Sequence, residues 1–321
     1  MAYKGKKIKI GISSCLLGEK VRYDGGHKLD RFITGTLGRY FEWVPVCPES
    51  EYGLPVPREA LRLTGDSEAP HLVTIKTGVD HTRGMLRWVR KKLAELETKN
   101  LSGFIFKSKS PSSGIGGVKI YDSTDMSSRT GTGSGIFGGA FIKRFPLIPV
   151  EDEERVHNTA LRENFIERVF VFRRWQKFRR ENGSVKNLMG FHTSHKLQIL
   201  AHSPRHYTTL EHLMSDGKQR NRRNVLSKYI EILTEGMCLT ATVKKHINVM
   251  MHILGYFKKN VSSDEKLELS DAIDNYRKGL VPWIVPVTLI RHYIRRFDIP
   301  YLKRQYYLYP HPLELMLRNH V

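Results

Sequence analysis

Val44-Pro45-Val46-Cys47-Pro48-Glu49 is a short apolar run closed by a thiol, a rigid proline and a carboxylate. Together with the residues before it, Phe41 to Val46 reads as a β-strand that ends at Cys47. Two other stretches end the same way. Lys7 to Ser14 alternates apolar and polar residues as a strand does, and Cys15 follows it. Leu101 to Phe106 is a third strand, followed by the turn Ser110-Pro111-Ser112-Ser113-Gly114. Strands alternating with helices imply a mainly parallel sheet flanked by helices. Ligands of such sheets sit beyond the carboxyl ends of the strands. Cys15, Cys47 and Ser113 all fall just past predicted strand ends and are expected to share one site.

The rest of the first half fits that scheme. Leu29 to Tyr40 reads as a short helix, Pro55 and Pro57 mark an irregular segment, and His71 to Lys76 is strand-like. Asp80 or Thr82 caps a helix running to about Thr98, with Met85, Val89, Leu93 and Leu96 on one face. A Gly/Ser/Thr-rich loop covers Ser123 to Gly139, and a short helix and the strand Leu147 to Val150 close an α/β domain over residues 1–150. From Glu151 the pattern is helical. Glu151 to Glu181 reads as one long helix, so residues 151–186 form a connection, broken at Gly183 and Ser184. Residues 187–321 form an all-α domain whose clearest helices are Ala241 to Lys259 and the basic Val287 to Arg296.

Charge is the strongest compositional signal. The 321 residues carry 53 Lys/Arg against 32 Asp/Glu, a net +21. The excess is spread evenly: residues 1–150 hold 24 Lys/Arg against 14 Asp/Glu, and residues 151–321 hold 29 against 18. A folded basic surface on this scale suits a polyanion, nucleic acid first. Arg173, Arg174, Lys177 and Arg180 lie in an acid-free run interleaved with Phe170, Phe172, Trp175 and Phe178. Lys218, Arg220, Arg222, Arg223 and Lys228 form a second such run, and Lys244 and Lys245 open a later helix. Each is either a solvated face or a phosphate-contacting one.

No apolar run approaches the roughly 20 residues of a membrane helix. The basic start leads into a β-like run, not a signal-peptide core. A cytoplasmic monomer without membrane attachment is expected. Three cysteines are too few for a disulfide framework.

Cys15 and Cys47 are 32 residues apart, which is no zinc-ribbon or ferredoxin spacing. From spacing alone they read as two buried structural thiols or as ligands that meet only in the fold. Glu49 is either a proton-transfer group or a surface acid. Ser110 and Ser112 are either turn residues or hydrogen-bond donors to a substrate carbonyl or thiocarbonyl. Gly133-Ser134-Gly135-Ile136-Phe137-Gly138 matches G-x-G-x-x-G, but no convincing strand precedes it, and a tight turn entering a helix explains it better than a dinucleotide site. His192, His195, His202, His206 and His212 invite a metal reading; Pro204 breaks any helix between His202 and His206, and buried hydrogen bonding or RNA contact fits them better. Cys238 reads as a core thiol.

At the three strand ends the chain resembles the thiouracil desulfidase family. The matching pieces are Ser14-Cys15-Leu16-Leu17-Gly18, Val21-Arg22-Tyr23-Asp24-Gly25-Gly26, Val44 to Glu49, Gly53-Leu54-Pro55 with Pro57-Arg58, and Ser110 to Gly114. Residues from about 187 resemble the YbgA-type helical domain through Leu200-Ala201-His202-Ser203-Pro204, Lys245 to Val249, Gly255-Tyr256-Phe257, Tyr276-Arg277, Gly279 to Pro282 and Asn319. The pairing of the two is similar to bacterial enzymes that desulfurate 4-thiouridine in tRNA. The resemblance implies a [4Fe-4S] cluster on three cysteines, with one iron left to take sulfur from a thiocarbonyl. Two of the cysteines correspond to Cys15 and Cys47. The third corresponds to Ser113, where the family pattern reads Ser-Pro-Ser-Cys-Gly. Either this residue was exchanged or this member has lost a ligand; the intact motif around it favours a deliberate Cys→Ser change, and the protein is expected to be weak or inactive. The resemblance further implies proton transfer by Glu49, substrate orientation by Ser112 and Ser110, and an RNA grip by the helical domain. Free thiouracil or thiouridine is the alternative substrate, and a non-catalytic RNA-binding protein the alternative function.

Overall fold

A computed structural model describes residues 7–123, 128–181, 183–216 and 222–312; the side chains of Asp216, Arg222 and Arg223 lie outside the described residues. The chain forms two compact units, residues 1–158 and 159–321.

In the first unit, β1 (Ile8–Ser13) is buried almost throughout, as expected of an inner strand of a parallel sheet covered on both faces. It pairs in parallel with β2 (Phe41–Val46) on one side and β5 (Phe104–Phe106) on the other, and β5 pairs in parallel with β8 (Val150–Asp152). The resulting order is β2-β1-β5-β8. Pro45 is tolerated because β2 is an edge strand, with one side free of ladder bonds. Gly11 permits the close β1–β5 packing: a Cβ there would lie 2.2 Å from the Phe104 ring. The chain winds away from β1 in both directions, so β1 and β5 flank a topological switch point, where open α/β sheets bind ligands.

A second sheet was not anticipated. It comprises β3 (Leu61–Thr64), β4 (His71–Thr74), β6 (Val118–Tyr121) and β7 (Arg129–Gly133) in the order β4-β3-β6-β7. Its β3–β4 and β6–β7 pairs are antiparallel and its β3–β6 pair is parallel. The strand β7 lies inside the segment read as a loop. Its Arg-Thr-Gly-Thr-Gly sequence has no apolar alternation, and it is a strand because β6 supplies hydrogen-bond partners.

The helices are α1 (Pro48–Tyr52), α2 (Thr82–Glu97), α3 (Ile136–Arg144) and α4 (Glu153–Val156). The carboxylate of Asp80 accepts from the Thr82 amide at 2.7 Å near the start of α2, and Met85, Val89, Leu93 and Leu96 face the core as expected. Between the sheets and helices lies an aromatic cluster of Phe104, Phe106, Phe137 and Phe141. Two expectations are corrected. Leu29 to Tyr40 is not a regular helix but a π-turn at Phe32–Thr36 followed by a 3₁₀ turn at Leu37–Arg39, with Gly35 and Gly38 among residues of low helix propensity. Glu151 to Glu181 is not one helix. Glu151 belongs to β8, Asp152 caps α4 by accepting from the Arg155 amide at 2.9 Å, and α5 spans Thr159–Arg180.

The second unit is helical: α5, α6 (Val185–His202), α7 (Pro204–Asp216), α8 (Arg222–Cys238), α9 (Val243–Phe257), α10 (Ser263–Arg277), α11 (Ile284–Arg296) and α12 (Pro300–Lys303). Ser184 caps α6 after the Gly183 break, and Pro204 separates α6 from α7. The helix read as Ala241 to Lys259 is shorter at both ends; Thr242 caps it by accepting from Lys245. Val249, Met250, Ile253 and Phe257 of α9 pack with Leu269 and Ile273 of α10 and Val287 and Ile290 of α11. Among the described residues no helix is long and apolar enough to cross a membrane.

Candidate functional site

The carboxyl ends of β1, β2 and β5 open onto one cavity of about 340 Å³, lined by Cys15, Cys47 and Ser113 together with Glu49, Ser110 and Ser112. Cys15 sits in the 3₁₀ turn Ser14–Leu17 that ends β1, and Cys47 lies between the end of β2 and the first residue of α1. The strand ends are tied together across the switch point, since the Lys107 amide donates to the Ser13 hydroxyl at 2.9 Å.

The third corner is held by the start of α3. The first amides of a helix have no partner within it, and here they take up the carbonyls of the Ser110–Gly114 turn. Ile136 donates to Pro111 at 3.1 Å, Phe137 to Ser112 at 2.8 Å and Gly135 to Gly114 at 2.8 Å. This is what the G-x-G-x-x-G pattern does. A Cβ on Gly138 would stand 2.4 Å from the Ser113 carbonyl oxygen, and one on Gly135 would stand 2.7 Å from that of Ser110. The glycines admit a backbone, not a nucleotide.

Glu49 stands at the centre of a hydrogen-bonded chain. Its Oε1 accepts from the Ser112 hydroxyl at 2.8 Å, and the Ser110 hydroxyl lies 3.1 Å from that of Ser112. Its Oε2 is clamped by the Arg58 guanidinium, which donates through both Nε and Nη2 and also holds the Val21 carbonyl at 2.8 Å. Arg58 is buried, its side chain 4% exposed. Proton-accepting geometry is thus confined to Oε1, which faces the serines.

The electrostatics of the two thiols differ. The Cys15 thiol is pushed up to about 11, first by burial and second by Cys47, with Lys107 and Arg22 pulling the other way. Lys107 is anchored by Glu153 and the Ser108 hydroxyl. Cys47 is half-buried; its thiol donates to the Ser50 hydroxyl at 3.5 Å, and its amide donates to Glu51 at 2.9 Å. The core assignment of Cys238 is overturned. It is exposed at the last residue of α8, with Arg168 Nη1 3.4 Å from its sulfur. Alkylation of the metal-free protein followed by peptide mass spectrometry is therefore expected to modify Cys238 first and Cys15 last. Because the thiolate is the nucleophile, the Cys15 rate should climb about tenfold per pH unit between pH 8 and 10. A Cys15 rate that levels off near pH 8.5 would contradict this.

Lys107 and Glu153 were missed by the sequence reading, which quoted Arg58 and the glycine pattern at 133–138 but gave neither a role in the site. Lys107 carried one usable signal, its place directly after a predicted strand. The cations singled out for RNA are in varied settings. Lys177, Arg180 and Lys244 are exposed. Arg173 is half-buried. Arg174 donates to the Pro310 carbonyl and stacks over the Tyr306 ring at 3.7 Å. Lys245 binds the His202 and Thr240 carbonyls at 2.7 and 3.0 Å. The side chains of Arg222 and Arg223, and the residues Lys218, Arg220 and Asn319, lie outside the described residues. His192, His195 and His202 are buried and hydrogen-bonded, to Glu211 and Tyr229, to the Phe191 carbonyl, and to Glu167 and the Leu239 carbonyl respectively.

Residues 10–153 match the family model described as 2-thiouracil desulfurase, and residues 196–312 match one described as a protein of unknown function, DUF1722. The uncharacterized protein YbgA of Escherichia coli (strain K12) is 29% identical over 153 residues, 47% of this chain and 90% of that protein. The uncharacterized protein YbbK of Bacillus subtilis (strain 168) is 33% identical over 130 residues, 39% of this chain and 83% of that protein. A solved structure described as a [4Fe-4S]-dependent thiouracil desulfidase, TudS, is 30% identical, with 47% of this chain and 94% of that chain covered and a TM-score of 0.37.

Proposed function

This chain belongs to the 2-thiouracil desulfurase family through residues 10–153, and on that basis we propose that it removes sulfur from 4-thiouridine in tRNA, leaving uridine. The observation that carries the reading is the meeting of Cys15, Cys47, Ser113 and Glu49 in one cavity at the switch point of the sheet. Three strand ends would hold a [4Fe-4S] cluster, two through thiolates and one through the Ser113 position. The cavity suits such a cluster in place and in two donors. The third donor is a hydroxyl, harder and far less acidic than a thiol, and a poor ligand for iron. With Ser113 at this corner the protein holds a cluster weakly.

When bound, the cluster would supply an iron with an open position for sulfur. The protein's own groups do the rest. Ser112 and Ser110 present hydroxyls that orient the carbonyl or thiocarbonyl of the base. Glu49 Oε1 accepts a proton from the water whose oxygen replaces sulfur, while Arg58 keeps Oε2 out of reach. Lys107, fixed by Glu153, offsets negative charge beside Cys15.

The net charge of +21 supports a tRNA substrate, because a free base needs no basic surface while a polyanion does. Free thiouracil is the second reading, favoured by the family description and by a cavity of a size to take a single base. Sulfide release from thiolated tRNA and from free 4-thiouracil distinguishes them, using Ser113→Cys protein supplied anaerobically with iron and sulfide. The tRNA rate under subsaturating conditions should exceed the base rate and fall steeply between 50 and 200 mM salt, while the base rate stays level. A base rate that dominates at every salt concentration would overturn the tRNA reading.

A further inference from the structure

Gly255-Tyr256-Phe257 ends α9 with two aromatic side chains in opposite settings. Phe257 is fully buried in the helical core. Tyr256, beside it, is 47% exposed. Single exposed aromatics are ordinary on protein surfaces, but Tyr256 is not single. Its ring stacks on Tyr301 of α12, with centroids 5.0 Å apart and planes 19° from parallel. Tyr207 of α7 lies within electrostatic reach of both phenols. The pair is therefore a two-ring stack with one ring about half in solvent.

Cations lie close to both rings in the chain. Lys258 and Lys259 follow Tyr256 directly, and Arg304 follows Tyr301 by three residues; all three are exposed, with no carboxylate partner among the described residues. Glu211, whose charge reaches Tyr207 and Tyr301, is engaged by Lys196 at 3.0 Å and by His192 at 2.6 Å, and Asp298, three residues before Tyr301, is paired with Lys303. A part-exposed ring with its position fixed by a second ring, with uncommitted cations near it in the chain, has the two kinds of group that proteins use for unpaired bases. The ring takes a base face and the cations take the phosphates on either side.

We infer that Tyr256, backed by Tyr301, is a stacking platform for an unpaired base of an RNA, with Lys258, Lys259 and Arg304 contacting the flanking phosphates. The choice of RNA rests on the tRNA reading above; the platform itself rests on the ring stack and its charge. A basic chain of +21 is complementary to such a strand.

The two kinds of contact separate experimentally. Binding of the 321-residue protein to tRNA, followed by fluorescence anisotropy across a salt series, should weaken about tenfold in Tyr256→Ala and in Tyr256→Leu. It should stay within about twofold of the unaltered protein in Tyr256→Phe, which keeps the ring. The slope of log affinity against log salt should be unchanged in these variants, because stacking releases no counterions. Lys258→Gln and Lys259→Gln should each flatten that slope by roughly one. A hairpin RNA with 2-aminopurine in its loop should lose fluorescence on binding, and that quench should be absent with Tyr256→Ala. The leucine variant guards against a folding defect, since it keeps apolar bulk. Full-strength binding and quenching by Tyr256→Ala would overturn the platform and leave desulfuration of tRNA untouched. Tyr256-dependent binding by a reconstituted Ser113→Cys protein that releases no sulfide would overturn the catalytic reading and leave the platform standing. Absence of any tRNA binding by the unaltered protein would end both.

Discussion

Exchanging Ser113 for cysteine is expected to convert a protein that sheds iron on desalting into one that retains about four irons and a matching amount of sulfide per chain. The direction follows from donor chemistry. Ser113 and a cysteine differ by one atom, and both fit the same buried position, 4% exposed, at the edge of the cavity. The hydroxyl stays protonated at neutral pH and offers iron a hard, neutral oxygen, whereas a thiol releases its proton to solvent as the metal binds and coordinates as a soft anion. Disturbing a partner one step removed from a metal costs about 10- to 100-fold in affinity or activity. A missing direct ligand costs more, so the gain in iron retention and in turnover should exceed about 100-fold. Anaerobic reconstitution followed by iron and sulfide assays and single-turnover desulfuration measures both. A Ser113→Cys protein that stays colourless, with the iron content of its parent, would refute the assignment of this corner.

In that restored background, Glu49→Gln is expected to lower turnover by roughly 10²- to 10⁴-fold, the range for removing a positioned proton-transfer group. Glutamine keeps the shape and still accepts from Ser112, so the cavity and the iron content should survive. What disappears is a carboxylate oxygen that takes a proton. Glu49→Asp retains the charge but withdraws it by one methylene from Ser112, and should recover part of the rate. Iron content falling in step with the rate in Glu49→Gln would show that Glu49 acts by holding the pocket together, through its clamp to Arg58.

The strand ends could be read from the sequence because each is local: an apolar run stops, and a thiol or a serine turn follows. The parallel sheet followed from their alternation with helices. What escaped was set by partners distant in the chain. The strand β7 has a turn-like composition and is a strand only beside β6. Glu151 looks helical from its neighbours but pairs through β8 with Ile105. The clamp Lys107–Glu153 joins residues 46 apart in the chain, and Arg58 reaches Glu49 across an irregular, proline-containing segment that has no periodicity to pair them. Cys238 sits between Met237 and Leu239, an apolar setting in the sequence that the end of α8 turns toward solvent. The glycine pattern at 133–138 carried information about a neighbouring loop, not about a ligand.

That loop is fastened by main-chain amides of α3, and by a bond from the Ser113 amide to the Ser110 hydroxyl at 3.1 Å. The side chain of residue 113 takes part in none of these bonds. Position 113 is accordingly an interchangeable socket: a thiol or a hydroxyl can be seated there on an unchanged mount. The two would compare ligand atoms with the framework held constant, so that any shift in metal preference between them belongs to the donor atom alone.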